Sequence, residues 1–470
     1  MGGGGGGLFP PPPRPPAPDT LTALDQTYVW HPFTQMREWV DEPPLIVIEG
    51  DGVRLRDAEG RWYLDGVSSL WVNVFGHRRP EVDRAIIDQL SRVAHSTLLG
   101  CSSPPAILLA QRLVGLAPPG LTKVFYSDNG STAVEVALKM ALQYWQQASP
   151  PRPRKTKILA FSLAYHGDTV GAVSVGGIDV FHARFAPYLF STHKVRPPYC
   201  YRCHLDLTYP ACELACLGEV EQVFRDHHEE IAALIVEPSI YAAAGMITMP
   251  PGYLRRLREL CTRFDVLLIA DEVATGFGRT GTLFACERDG VTPDLMAVAK
   301  GLTGGYLPLA ATLTTQAIYD AFLGEYTDFR TFFHGHSYTG NALACAAALA
   351  TLDIFVHDRV IEGLAAKIAH LRAELDSLAR HPRVGDIRQC GLMVGIELVR
   401  DRATTTRFPV ADRIGWNVSR EARALGLLTR PLGDVLVLVP PLVSTNEELS
   451  EMARILGQAV ERVLGPTSRS

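Results

Sequence analysis

Leu268-Ile269-Ala270-Asp271-Glu272-Val273-Ala274-Thr275-Gly276-Phe277-Gly278-Arg279-Thr280-Gly281 is the stretch that decides the fold. The apolar run 266–270 leads directly into two carboxylates. A run apolar on both faces suits a strand covered on both sides, as in parallel sheets. A carboxylate at the end of such a strand is costly unless a cation or donors meet it. The plainer reading is an N-cap of the following turn. Similar short apolar runs occupy residues 123–126, 158–161, 233–236 and 295–299, with helical patterns between them, such as 131–145 and 253–263. This alternation predicts an α/β fold: a large domain with helices on both faces of a mainly parallel sheet.

The pattern changes after about residue 340. Residues 342–355, 360–379 and 447–463 read as helices, and 391–399 and 435–439 as strands. These predict a smaller α+β domain, joined by an early hairpin within 45–65 that turns at Gly50-Asp51-Gly52. The expected organisation is a disordered tail over 1–20 and an N-terminal segment over 21–76 that joins the small domain. A large domain over 77–340 and a small C-terminal domain over 341–470 follow. The tail expectation rests on the six glycines at 2–7 and the prolines that follow, since such chain is costly to order.

The chain has 470 residues, 47% hydrophobic and 20% charged, with 45 Lys+Arg against 50 Asp+Glu. That balance argues against a nucleic-acid partner, which would need a basic face. The apolar runs are too short to span a bilayer. The start lacks the basic and apolar parts of a secretory signal, so the expected location is the cytoplasm. Of nine cysteines, Cys101, Cys261, Cys286, Cys345 and Cys390 read as core packing. Cys200, Cys203, Cys212 and Cys216, spaced C-x2-C-x8-C-x3-C, could hold a structural zinc ion or form a reduced surface loop.

Ligands of open α/β sheets bind beyond the carboxyl ends of the strands. Three such ends carry chemistry here. Ser127-Asp128-Asn129-Gly130-Ser131-Thr132 is a strand-to-helix turn in which Gly130 allows close approach and Ser131 offers a hydroxyl and an amide to an anion. Asp271 ends the next run considered. Lys300 follows the run 295–299, and a partly desolvated lysine can form a Schiff base. A phosphate site, a carboxylate for a ring nitrogen and a lysine for an aldehyde together fit pyridoxal 5′-phosphate. Tyr165, in Ala164-Tyr165-His166-Gly167-Asp168, offers an aromatic face to stack on that ring.

The long motif 268–281, with Lys300 29 residues beyond Asp271, resembles the class III aminotransferase signature. The likeness runs from about His31 to Leu464. It implies the pyridoxal-phosphate fold type I, with a mostly parallel seven-stranded sheet, and a homodimer whose active site is shared across the interface. By the same resemblance, Lys300 would be the Schiff-base lysine and Asp271 the partner of the ring nitrogen. Gly130 and Ser131 would bind the phosphate. Tyr165 and Trp71 would face substrate, and Arg430 would hold a substrate carboxylate. His334-Gly335-His336-Ser337 resembles a segment reaching the phosphate from the partner subunit, with His336 and Ser337 beside the cofactor and Gly335 beside substrate.

Within the class, His31-Pro32-Phe33-Thr34, Gly66-Val67-Ser68-Ser69-Leu70-Trp71 and Thr429-Arg430-Pro431 are similar to the biotin-pathway branch. That branch aminates 8-amino-7-oxononanoate, so small-molecule keto acid and amino donor are the expected partners. Phe33 stands where members using S-adenosylmethionine usually have Tyr, His336-Ser337 replaces their Pro-Thr, and Tyr241 replaces a Gln. Phe33 and the Gly335-His336-Ser337 form resemble a branch that takes its amino group from L-lysine, and Tyr241 points to altered donor specificity. The alternatives are a class III aminotransferase for ω-amino acids or diamines, and a non-catalytic binding protein on the same fold.

Overall fold

The structure is a computed structural model that describes residues 16–42 and 44–466. Its centre is a seven-stranded sheet: β1 (Leu121–Ser127), β2 (Lys157–Phe161), β3 (His193–Val195), β4 (Ile231–Val236), β5 (Leu267–Asp271), β6 (Leu295–Val298) and β7 (Ala310–Thr315). The order across the sheet is β1-β7-β6-β5-β4-β2-β3. β6, β5, β4, β2 and β3 pair in parallel, whereas β7 runs antiparallel to both β6 and β1. Every residue of β4, β5 and β6 is buried, as expected for strands covered on both faces. The α/β expectation with a mostly parallel sheet is met.

Two strands of this sheet escaped the sequence reading. β7 reads Ala-Ala-Thr-Leu-Thr-Thr and looks polar, yet it lies inside the sheet. The Thr312 hydroxyl donates to Ala133 O at 2.8 Å and the Thr314 hydroxyl to Asp294 O at 3.2 Å. With those hydroxyls satisfied, the strand can be buried. β3 is an edge strand of three residues, too short to leave a pattern. Cys101 is exposed rather than part of the core, while Cys261, Cys286, Cys345 and Cys390 are buried.

The helix Gly130–Gln147 follows β1 and packs Val134, Ala137, Leu138, Ala141 and Trp145 against the sheet. Trp145 Nε1 donates to Ala232 O at 2.8 Å, which ties the helix to β4. On the other side, helix Ala342–His357 packs on helices Pro80–Leu90 and Pro104–Leu116.

The C-terminal part forms a four-stranded antiparallel sheet from Val384–Cys390, Met393–Leu398, Val435–Leu438 and Arg430–Leu432. Helices Val360–Ala379, Ile414–Ala424 and Asn446–Leu464 pack beside it. Near the N-terminus, Val47–Asp51, Arg54–Asp57 and Trp62–Asp65 form antiparallel strands, and Leu427–Leu428 adds in parallel to the third. A helix, Pro18–Tyr28, starts inside the stretch expected to be tail; residues 1–15 lie outside the described residues. Among the described residues, no helix is long and apolar enough to cross a membrane.

Arg279, from the opening motif, is 1% exposed and straps these parts together. Its guanidinium donates to Pro440 O at 2.7 Å and to Asn73 O at 2.8 Å. Burial lowers its pKa to about 9. Arg279→Met keeps most of the volume but leaves two buried carbonyls without donors, a loss of about 2–4 kcal/mol. A urea-unfolding midpoint unchanged in this variant would show that the strap contributes nothing to stability.

Candidate active site

Because β7 is antiparallel, its first residues lie at the same rim as the last residues of β1, β4, β5 and β6. That rim forms a cavity of about 450 Å³. Gly130, Ser131, Tyr165, Asp271, Lys300, Trp71 and Arg430 all line it, together with Phe33, His166 and Glu237. Seven positions expected from sequence to work together are thus brought to one place.

Asp271 is 4% exposed. Its Oδ2 lies 2.7 Å from His166 Nδ1, and its Oδ1 accepts the Val273 amide at 3.0 Å. The carboxylate therefore faces the cavity in a fixed orientation. Its neighbour Glu272 turns away and is used for structure. It accepts from the Ala285 amide at 3.0 Å, the Cys286 amide at 2.8 Å and the Thr275 hydroxyl at 2.5 Å. Burial pushes its carboxyl pKa up.

The Lys300 amine opens onto the cavity and is otherwise enclosed by protein. Nζ sits 4.9 Å from the centroid of the Trp71 ring. Desolvation lowers its pKa, partly opposed by Asp271 and Glu237. Lys300, Trp71 and Phe33 all have left-handed φ values, 46°, 63° and 53°. For non-glycine residues such backbone costs energy and collects at working sites. The Trp71 loop is held by Ser68, whose hydroxyl donates to Val439 O at 2.7 Å, and by Ser69, which donates to Asp65.

At the helix start, Asn129 is the N-cap and shares a capping box with Thr132. The Thr132 amide and hydroxyl are therefore used internally, and the amides of Gly130 and Ser131 are left to the cavity. Gly130 is required by its own neighbour: a Cβ there would meet Val273 Cγ1 at 2.5 Å. Ser131 Oγ accepts the Asp168 amide at 3.2 Å, and the Asp168 carboxylate accepts the Tyr165 hydroxyl at 2.7 Å. Burial, and then that bond, raises the Tyr165 pKa. Arg430 sits 5.7 Å from the Phe33 ring centroid. Burial lowers its pKa, opposed by Tyr165.

Gly335, His336 and Ser337 do not line the cavity. His336 Nδ1 lies 2.9 Å from Asp128 Oδ2, His334 Nδ1 2.9 Å from Lys139 Nζ, and His95 Nε2 2.8 Å from Ser337 O. Cys200, Cys203, Cys212 and Cys216 are free thiols around a separate small cavity. Among the described residues, the group with ligand atoms mutually within 4.8 Å lies elsewhere.

The class III aminotransferase profile matches residues 35–460. The chain belongs to the class III aminotransferases. It is 56% identical over 94% of its length to the adenosylmethionine-8-amino-7-oxononanoate aminotransferase of Nitratidesulfovibrio vulgaris, of which it covers 81%. The Geobacter sulfurreducens protein of the same name is 52% identical, over 95% of this chain and 98% of that one. Among solved structures, the Methanocaldococcus jannaschii protein of that name superposes with a TM-score of 0.90 at 45% identity, covering 95% and 99%. An (S)-enantioselective omega-transaminase from Thermomicrobium roseum gives 0.90 at 37%, covering 95% and 98%.

Two residues of this aminotransferase were not assigned roles from sequence. His166 orients Asp271, and Glu237 accepts the amides of Tyr165 at 3.0 Å and Ala242 at 3.1 Å. For Glu237 the available signal was a polar residue directly after a buried strand; His166 stands five residues past the end of β2. Desolvation raises the Glu237 pKa to about 7. Its carboxyl is then protonated in the fold and charged in the unfolded chain between 4.5 and about 7. The stability it contributes is full below 4.5 and lost by about 7, at a slope of at most about 1.4 kcal/mol per pH unit. Glu237→Gln should flatten that fall, read as unfolding midpoints of the cofactor-free protein across the window; an unchanged slope would refute it. Gly130→Ala should destabilise the protein, and the added change Val273→Ala should recover most of the loss. A double variant no better than the single one would show that Val273 is not the obstacle.

Proposed function

We propose that this aminotransferase converts 8-amino-7-oxononanoate to 7,8-diaminononanoate in biotin synthesis, with pyridoxal 5′-phosphate as cofactor and as a homodimer. The observation that carries the substrate is the shared name of relatives 52% and 56% identical over nearly the whole chain. The rim geometry supports the chemistry. An enclosed amine, an oriented carboxylate and two helix-end amides face one cavity, and these suit the aldehyde, ring nitrogen and phosphate of the cofactor. When bound, the cofactor supplies an electron sink for the carbon that gives or receives the amine.

The chain's own groups do the rest. The Gly130 and Ser131 amides, at the start of an 18-residue helix, bind the phosphate. Asp271, fixed by His166 and Val273, holds a proton at the ring nitrogen and so maintains the sink. Lys300, with its pKa lowered by burial, would act as the base that takes the proton from the donor carbon in one half of the cycle and as the acid that gives one to the acceptor carbon in the other. Trp71 and Tyr165 wall the substrate side and exclude water. Tyr165 is an aromatic wall whose hydroxyl is already bonded to Asp168. Arg430 binds a substrate carboxylate through two parallel hydrogen bonds.

S-adenosylmethionine is the first donor proposed, from the relatives' names, and L-lysine the second. Phe33 favours the second because it puts a ring without a hydroxyl in the cavity wall, packed 5.3 Å from Phe181. We assign Gly335, His336 and Ser337 to the site of a second copy. They lie outside their own cavity, and Phe333 and Tyr338 beside them are 72% and 64% exposed.

The deciding assay is amination of 8-amino-7-oxononanoate with S-adenosylmethionine and L-lysine side by side, against a panel of simple amines and ω-amino acids. Turnover confined to that panel would sink the biotin reading. Lys300→Ala should lose activity and the cofactor's lysine-dependent absorbance. Asp271→Asn should lower kcat by about two to three orders of magnitude with the fold intact. Arg430→Ala should raise KM for the keto acid at least about tenfold while sparing amines without a carboxylate; equal losses on both would remove its assigned role.

A further inference from the structure

Away from the rim, three side chains from three elements converge at the outer edge of the large sheet. His193 lies on the edge strand β3, His227 ends the helix Leu217–His227, and Glu230 stands in the turn before β4. His193 Nε2 is 3.1 Å from Glu230 Oε1, and His227 Nδ1 is 2.8 Å from the same oxygen. The two rings are 4.5 Å apart, centroid to centroid. All three ligand atoms lie within 4.8 Å of one another.

The backbone holds each residue independently of these contacts. His193 pairs with Leu159 of β2. Glu230 O accepts the amides of Thr156 at 2.9 Å and Lys157 at 2.8 Å, and the Glu230 amide donates to His227 O at 2.9 Å. His193 and Glu230 are partly buried and His227 is exposed, so one side of the tripod is open to solvent.

From this convergence we propose that His193, His227 and Glu230 form a binding site for a divalent transition-metal ion, zinc by preference, completed by water. Two imidazoles and one carboxylate are a common zinc set, and calcium and magnesium favour all-oxygen sites. At Zn–N and Zn–O distances of about 2.0–2.1 Å, neighbouring ligand atoms of a tetrahedron lie about 3.3 Å apart. The observed 2.8 and 3.1 Å require only a small spreading to admit the ion. The metal would join the edge strand to a helix end. A ligand bound to the folded form alone raises its stability.

The test uses tag-free, chelator-treated, full-length holoenzyme in equilibrium dialysis against zinc, with magnesium as control. Metal per chain and melting temperature are the readouts. One zinc per chain and a raised melting temperature are expected, with no response to magnesium. His227→Ala should weaken binding at least about tenfold and abolish the rise, with aminotransferase activity retained. Glu230→Gln, which keeps the shape, should do the same. The paired change Cys200→Ser/Cys212→Ser should leave binding intact. Absence of stoichiometric zinc, unchanged binding in both tripod variants, or loss of binding in the cysteine variant would each overturn the proposal.

Discussion

The ion-dipole clamp on Asp271 is the contact on which the site depends. A charged oxygen pair at the end of a fully buried strand must be met on all sides. His166 and the Val273 amide meet it from within the protein, and what remains of it faces the cavity. His166 can do this only because the loop after β2 brings it to the end of β5, two strands away in the sheet. The parallel register of β2, β4 and β5 is therefore part of the chemistry. Slipping any one strand would part the imidazole from its carboxylate.

Much of this was legible in the sequence, and for an identifiable reason. Strands covered on both faces leave short runs of unmixed apolar residues, and the polar residue directly after such a run is hard to explain as solvent-exposed. Asp271, Lys300 and the Ser127–Gly130 turn each carried that mark. Val273, whose branched side chain excludes a Cβ at Gly130, is 143 residues away, so this added demand for glycine left no local mark in the sequence. β7 was missed because its threonines look like loop chemistry until their hydroxyls are seen bonded to carbonyls of a helix and a strand end. Trp71 and Arg430 lie far apart in the chain and give no local signal of meeting. Their assignment rested on family likeness.

The cavity is also where the backbone is least relaxed. Phe33, Trp71 and Lys300 take left-handed conformations, and all three side chains reach the same space. The rest of the fold has to hold them there. Asp65, Ser68, Ser69 and the Arg279 strap do so from behind, with buried hydrogen bonds to carbonyls and carboxylates of the N-terminal segment and the C-terminal sheet. Residues distant in sequence thus fix the aromatic wall across from the lysine.

Asp168 touches both ends of the cavity, its amide on Ser131 and its carboxylate on Tyr165. One short residue therefore acts as a lever arm between the anion-holding helix tip and the ring that meets incoming substrate. Filling the first should brace the second, so that a protein loaded with its phosphate group presents a stiffer doorway than an empty one.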